Sequence, residues 1–215
     1  MKYQDFLAGK AKEDLGNALP LGELSPHHFP FQSHATKWFA KKGRAILAED
    51  VGLGKGLQLM ELGTQIIQHT GMPVLMFAPP AVKAQFKLEA AKFGFTVNPF
   101  DEEFQLEPDI INITNYERLL VRETIQVNEY QAFLDKWRDY DPLEVRRTET
   151  TITLDRFRFA PAQFGGLLAD EASILKHYNA STREALTRFM EFGNIPYRFG
   201  ATATAAPNDF IEWIN

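Results

Sequence analysis

Apolar residues along this chain fall into two alternating patterns. Short continuous runs, Arg44-Ala45-Ile46-Leu47-Ala48, Pro73 to Ala78, Ile110 to Thr114, Phe164 to Ala169 and Tyr197 to Ala201, predict strands, and Thr96-Val97 predicts a shorter one. Between them lie stretches with helical spacing. Phe31, Ala35, Trp38 and Phe39 recur at i, i+4, i+7 and i+8 and predict a helix over 31–42 that Gly43 ends. Further helices are predicted at about 55–69, closed by Gly71 before Pro73, at 81–93, and near 180–192. Runs without polar alternation suit strands buried on both faces, so strand–helix alternation of this kind predicts an α/β lobe with a mostly parallel sheet flanked by helices.

Two segments stand outside that rhythm. Residues 1–28 are polar and read as an N-terminal extension, a short helix and a loop, ahead of a lobe spanning 29–215. Residues of about 121–158 are charged and aromatic and read as an insertion between core strands. A helix is expected over 123–138, and an exposed strand or hairpin arm over 150–159. No internal repeat or low-complexity segment interrupts the chain.

Composition narrows the classes. With 215 residues and 45% hydrophobic content the chain can build one sizeable core. No run approaches the ~20 apolar residues of a membrane span, and the first 16 residues carry no apolar signal core, so a cytoplasmic protein of a bacterial or phage-infected cell is expected. With no cysteine, disulfides and thiolate metal sites are excluded. A net charge of −5 argues against gripping nucleic acid through bulk positive charge, though not against a local groove.

Candidate chemistry sits at the strand ends. Glu49-Asp50-Val51-Gly52-Leu53-Gly54-Lys55-Gly56 lies between a predicted strand and a helix, the context of a phosphate-binding loop. Glycines let consecutive N–H groups turn inward, the helix offers its positive end, and Lys55 is placed to reach the β- and γ-phosphates. Such loops usually follow the lysine with Ser or Thr, whose hydroxyl ligates Mg²⁺; here Gly56 stands instead, and impaired turnover is expected. Read blandly, the three glycines make only a flexible turn. Asp170-Glu171 follows the run Leu167-Leu168-Ala169, where a carboxylate faces the ligand crevice of a parallel sheet. Asp170 is the candidate metal ligand and Glu171 the candidate for polarising the attacking water. A bland reading makes them acids complementing a helix dipole.

Taken in order, these segments resemble the Snf-type branch of superfamily 2 helicases, particularly phage and prophage helicase-like proteins, over nearly the whole chain outside the insertion. Phe29-Pro30-Phe31-Gln32 resembles the adenine-reading Q motif, and Ala48 to Lys55 resembles motif I. Val74 to Val82 resembles motif Ia, and Ile113 to Leu119 the next backbone-contacting motif. Asp170 to Lys176 resembles motif II, with Ser173 where many relatives carry His. Thr202 to Asp209 resembles motif III, with Ala205 at a frequent proline.

The resemblance implies the first RecA-like, P-loop lobe of a motor that uses ATP and Mg²⁺. It implies nucleotide contacts from Phe31, Gln32, Val51, Gly52, Leu53, Gly54, Lys55 and Gly56, and catalytic roles for Lys55, Asp170 and Glu171. It also implies nucleic-acid contacts from Pro79, Thr114, Asn115 and Tyr116, and coupling through Thr202, Thr204 and Asn208. The implied partners are DNA, expected double-stranded, and a second RecA-like lobe in cis or trans carrying an arginine finger, worth roughly 10³–10⁵ in rate. The chain stops soon after motif III, so poor hydrolysis by the lone lobe is expected. The insertion, with Trp137, Tyr140, Arg146, Arg147, Arg156 and Arg158 among many acids, reads as a solvated or protein-docking face before a DNA contact. A competing reading is a catalytically silent nucleotide-binding or interaction module. A small P-loop kinase leaves Gln32 and the segment after Thr202 unexplained.

Overall fold

The computed structural model describes residues 17–99, 105–173 and 180–203. Six strands, β1 (Arg44–Ala48), β2 (Val74–Phe77), β3 (Val97–Pro99), β4 (Ile111–Thr114), β8 (Gly166–Ala169) and β9 (Tyr197–Thr202), form one sheet in the order β1-β9-β8-β2-β4-β3. Every pairing in it is parallel. All six strands therefore end at one edge of the sheet, and the loops that follow them share one rim. The predicted strands and the parallel architecture are borne out, with bounds shifted by a few residues.

Continuous apolar runs let each strand serve two layers, because successive side chains point to opposite faces. Val74, Met76, Ile111, Ile113, Leu168 and Phe199 meet one layer, which includes Leu59, Met60, Leu62 and Ile66 of α2 (Lys55–Thr70). Leu75, Phe77, Leu167 and Ala169 meet the other, which includes Leu186, Phe189 and Met190 of α5 (Ala180–Phe192). Each such Leu, Ile or Phe contributes about 1.5–3 kcal/mol of burial. Helix α2 lies close on the sheet because Gly63 has no side chain; a Cβ there would stand 2.6 Å from Ile111 Cδ1.

Helix α1 (Pro30–Lys42) starts with proline in its first turn, carries Lys41 and Lys42 in its last, and ends at Gly43 with φ +68°. The Gly43 position is obligatory on two counts, since a Cβ there would also lie 2.0 Å from the Asn17 carbonyl oxygen. The buried face of α1 only partly follows the expected stripe: Phe39 is buried and Ala35 packs against the core, but the face is shifted. Gln32, Thr36, Phe39 and Ala40 turn inward, while Phe31 and Trp38 are about half exposed. Close approach to the phosphate loop needs a hydrogen-bonding amide and small side chains, which the apolar spacing did not reveal.

Residues 17–28, read from sequence as part of an extension, lie as a strap over α1 and α2. Leu19 is buried and its N–H bonds to the Ala40 carbonyl at 2.8 Å. Gly22 N–H reaches Gln65 Oε1 at 2.7 Å, and Ser25 N–H reaches Glu61 Oε2 at 3.0 Å. Both acceptors belong to side chains buried on α2. The expected helix before residue 17 lies outside the described residues.

The insertion is real but differs in detail. Strands β5 (Leu120–Gln126), β6 (Leu143–Arg147) and β7 (Thr151–Phe157) form an antiparallel sheet in the order β5-β7-β6, with α4 (Tyr130–Trp137) against it. Residues 123–126, expected as helix, are strand: every second side chain of β5 is half-buried, a period of two rather than 3.6. Strand β7 is not an exposed arm, since Ile152, Leu154 and Phe157 are buried. Phe133, Ile152 and Leu154 make a small core of their own. Phe157 then meets Phe189 edge-on at 5.0 Å between ring centroids, and Arg188 pairs with Asp141 at 2.7 Å, fixing the insertion to α5.

Candidate nucleotide site

The loop after β1 has the left-handed glycines that the expected phosphate-binding loop requires. Gly52 and Gly54 adopt φ +87° and +79°, a region where a side chain costs about 1–2 kcal/mol, and α2 begins immediately at Lys55. Val51 is 86% exposed at the tip and Leu53 is 40% exposed, so the loop opens to solvent rather than being plugged by apolar side chains. The Lys55 ammonium donates to the Glu49 and Asp50 carbonyls at 2.8 and 2.9 Å. Its charge is thus held at the mouth of the loop by two neutral carbonyl acceptors. Gln58, one turn into α2, donates to Glu49 Oε2 at 2.8 Å and ties the loop's first acid back to the helix.

Gln32 joins this loop to α1. Its Oε1 accepts from the Phe29 N–H and its Nε2 donates to the Leu53 carbonyl, both at 2.8 Å. The fit is tight: a Cβ on Gly54 would stand 2.3 Å from Gln32 Nε2. The residue expected to read adenine is buried and clamps the phosphate loop, keeping one N–H and one lone pair for other partners. Phe29 and Phe31, 66% and 47% exposed, lie with rings nearly parallel at 6.3 Å beside it, offering an apolar face to solvent.

The acidic couplet follows β8, two strands from β1 across β9. Asp170 N–H bonds to the Phe77 carbonyl and Ala172 N–H to the Ala201 carbonyl, each at 2.8 Å, so the turn is pinned to β2 and β9. Burial pushes the Asp170 carboxyl up to about 6, reinforced by the Glu171 and Glu89 carboxylates and opposed by the Glu171 N–H and the Lys55 ammonium. The Lys55 ammonium and the Glu89 carboxylate therefore both act on the Asp170 carboxyl. Glu171 holds a left-handed backbone, φ +49°, costly for a side-chain-bearing residue. Its Oε1 accepts from Thr202 Oγ at 3.2 Å and from the Ser173 hydroxyl. Thr202 is itself buried at the end of β9.

The structure thus brings Gln32, the loop from Val51 to Gly56, Asp170, Glu171 and Thr202 to one rim of one sheet. The four positions expected to meet nucleic acid divide. Pro79 and Asn115 are half-buried at the same rim. Thr114 and Tyr116 lie at that rim but face inward: Thr114 is fully buried, and Tyr116 stacks on Phe77 at 5.4 Å and donates its hydroxyl to the Asp170 carbonyl at 2.8 Å. Their side chains support the acidic turn and the core instead of presenting to a ligand. Thr204 and Asn208 lie outside the described residues. Sequence reading missed Glu89 on α3 (Lys83–Phe93), which reaches the loop at Gly56. A lone glutamate on a helix gave no signal for it.

Metal fit is tested by the same geometry. Gly56 carries no side-chain oxygen, but the space a Cβ would fill there is bounded by Glu89 Oε2 at 3.0 Å. With Asp170 across the loop, oxygen donors suited to Mg²⁺ flank the phosphate cradle. No helix among the described residues is long and apolar enough to cross a membrane.

No family model and no curated protein matches the sequence. Solved structures do. The SWI2/SNF2 ATPase core of Sulfolobus solfataricus in complex with dsDNA superposes with a TM-score of 0.58 at 20% identity, over 92% of this chain and 36% of that one. The UvsW helicase of bacteriophage T4 superposes at 0.58 and 12% identity, over 100% and 65%, and the Hef helicase domain of Pyrococcus furiosus at 0.54 and 16%, over 86% and 34%. This chain spans between about a third and two-thirds of the length of these proteins. At such identities the likeness establishes the fold, the RecA-like lobe of helicase cores, as the motif order implied.

Proposed function

We propose that this lobe, built as in superfamily 2 helicase and translocase cores, binds ATP with Mg²⁺ and drives movement along double-stranded DNA when a second lobe completes the site. The observation that carries the reading is the convergence of a phosphate-loop lysine and an acidic couplet at one rim, with Lys55 acting on the Asp170 carboxyl.

Roles follow from chemistry. Gly52 and Gly54 free backbone N–H groups to face phosphate oxygens, and Lys55 exchanges two neutral carbonyl partners for anionic ones. Gln32 keeps the loop in shape for that exchange. Phe29 and Phe31 supply the apolar surface against which a purine packs. Asp170 would hold Mg²⁺, which would neutralise phosphate charge. Glu171 orients the attacking water, and its bond to Thr202 connects the acidic turn to β9, from which motif III leads away. Pro79 and Asn115 border the face where a DNA backbone passes. A second lobe would supply an arginine to the transferred phosphate.

A second reading has one specific observation in its favour. Gly56 withholds the usual hydroxyl, as expected of a silent module that keeps the loop only as structure. Calorimetric titration with ATP and Mg²⁺, with Lys55→Ala as control, separates the readings together with DNA-stimulated turnover in the presence of a second lobe. Lysine-dependent binding and DNA-stimulated turnover are expected. Binding without turnover under any such completion favours the silent module, and no ATP binding at millimolar concentration overturns both.

A further inference from the structure

The absent hydroxyl at Gly56 has a neighbour. Helix α3 runs beside the start of α2, and a Cβ built on Gly56 would meet Glu89 Oε2 at 3.0 Å and Phe86 Cε1 at 3.1 Å. A hydroxyl oxygen on such a Cβ would lie one bond length further out, so the Glu89 carboxylate borders the volume that a Ser or Thr hydroxyl would occupy. Gln85 Nε2 donates to the other oxygen, Glu89 Oε1, at 2.7 Å, which leaves Oε2 as the atom turned to the loop. Helical spacing explains the pairing, since residues 85 and 89 stand one turn apart on one face.

We propose that Glu89 replaces the missing hydroxyl, presenting Oε2 to the Mg²⁺ of a bound Mg·ATP, directly or through one of the metal's waters. This rests on the reading of the lobe as an ATP site. Chemistry favours the exchange: Mg²⁺ is held by one or two carboxylates plus phosphate oxygens and waters, and a carboxylate is a stronger donor than an alcohol. A glycine then suits position 56, because a Cβ there would crowd the carboxylate at 3.0 Å and the Phe86 ring at 3.1 Å.

A carboxylate differs from a hydroxyl in one measurable way. Without metal it repels the triphosphate, so nucleotide binding should be unusually metal-dependent. The test titrates a fluorescent ATP analogue into the wild-type chain, Glu89→Gln, Lys55→Ala and Gly56→Ser/Glu89→Ala, each with Mg²⁺ and with EDTA. Mn²⁺ binding to the nucleotide complex is read in parallel by electron paramagnetic resonance. Glu89→Gln is isosteric on a half-buried helix position, and an unchanged melting temperature verifies its fold. It is expected to weaken Mn²⁺ affinity in the complex by roughly 10-fold or more, and to tighten metal-free nucleotide several-fold. Gly56→Ser/Glu89→Ala is expected to regain much of the lost metal affinity. If Lys55→Ala abolishes binding while Glu89→Gln leaves both metal dependence and Mn²⁺ affinity as in wild type, Glu89 is no ligand and the ATP reading stands. If wild type binds no nucleotide with either metal, both fall.

Discussion

Replacing Asp170 by Asn should stabilise the protein at neutral pH, by an amount that depends on pH in a defined direction. In the fold the carboxyl is pushed from an ordinary value near 3.8 up to about 6, chiefly by burial. The native state therefore prefers the protonated acid. That preference adds stability below about pH 4, and the addition is lost as pH rises through about 6, where the native state must hold an ion in a poor environment. Two pH units at about 1.4 kcal/mol each set an upper bound near 3 kcal/mol, and partial exposure of the group reduces it to about 1–2 kcal/mol. Asparagine keeps an oxygen to accept from the Glu171 N–H but carries no charge. Urea unfolding of wild type and Asp170→Asn, without nucleotide or metal, gives the difference directly. The variant should be more stable by about 1–2 kcal/mol at pH 8, with the gain shrinking to roughly a third at pH 4.5 and to near zero below about pH 3.5. A gain of equal size at both pH values, or a loss at pH 8, would refute the assignment of burial as the dominant cause. Addition of Mg²⁺ and ATP should favour wild type instead, because metal ligation requires the carboxylate that the empty fold disfavours.

Gly54→Ala combines a left-handed backbone with a Cβ at 2.3 Å from Gln32 Nε2, so about 2–3 kcal/mol of stability and most nucleotide affinity should be lost. In a double-mutant cycle with Gln32→Ala, the two stability losses should sum to more than the double variant's loss; strict additivity would break the proposed clamp. Gly63→Ala forces Ile111 and Leu168 away from α2 and should cost about 1–3 kcal/mol by thermal unfolding, with nucleotide affinity of the folded protein unchanged. The Arg156 guanidinium lies 3.8 Å from the Trp137 ring centroid and is hydrogen-bonded to Glu123, so Arg156→Ala should cost about 1–2 kcal/mol. A loss of DNA-stimulated activity with unchanged stability would instead make Arg156 a DNA contact. Thr202→Val removes the hydroxyl that donates to Glu171 and should lower DNA-stimulated turnover while sparing ATP affinity; a matching fall in affinity would contradict a coupling role.

Much of this lobe is written locally. The strands announce themselves because a strand buried on both faces needs apolar residues at every position, and the glycines of 52–54 because only glycine takes that backbone at low cost. The acidic couplet was legible because it follows such a run directly. What failed was whatever depends on a neighbour distant in sequence. Helix α1 buries Gln32 and Thr36 in preference to Phe31 and Trp38, since the loop beside it demands a hydrogen-bonding amide. Residues 123–126 pair with 151–154 as strand, where charge and helix-forming residues suggested a helix. Tyr116 turns from an expected DNA contact to a support for Asp170.

Order along the chain was thus enough to set the parallel lobe and the rim on which its reactive groups gather, because backbone conformation and burial act residue by residue. Which side chain faces which partner was settled only by packing. Gly56 shows the difference most clearly: in the sequence it is a missing hydroxyl, and in the fold it is a space bordered by the carboxylate of Glu89, 33 positions later.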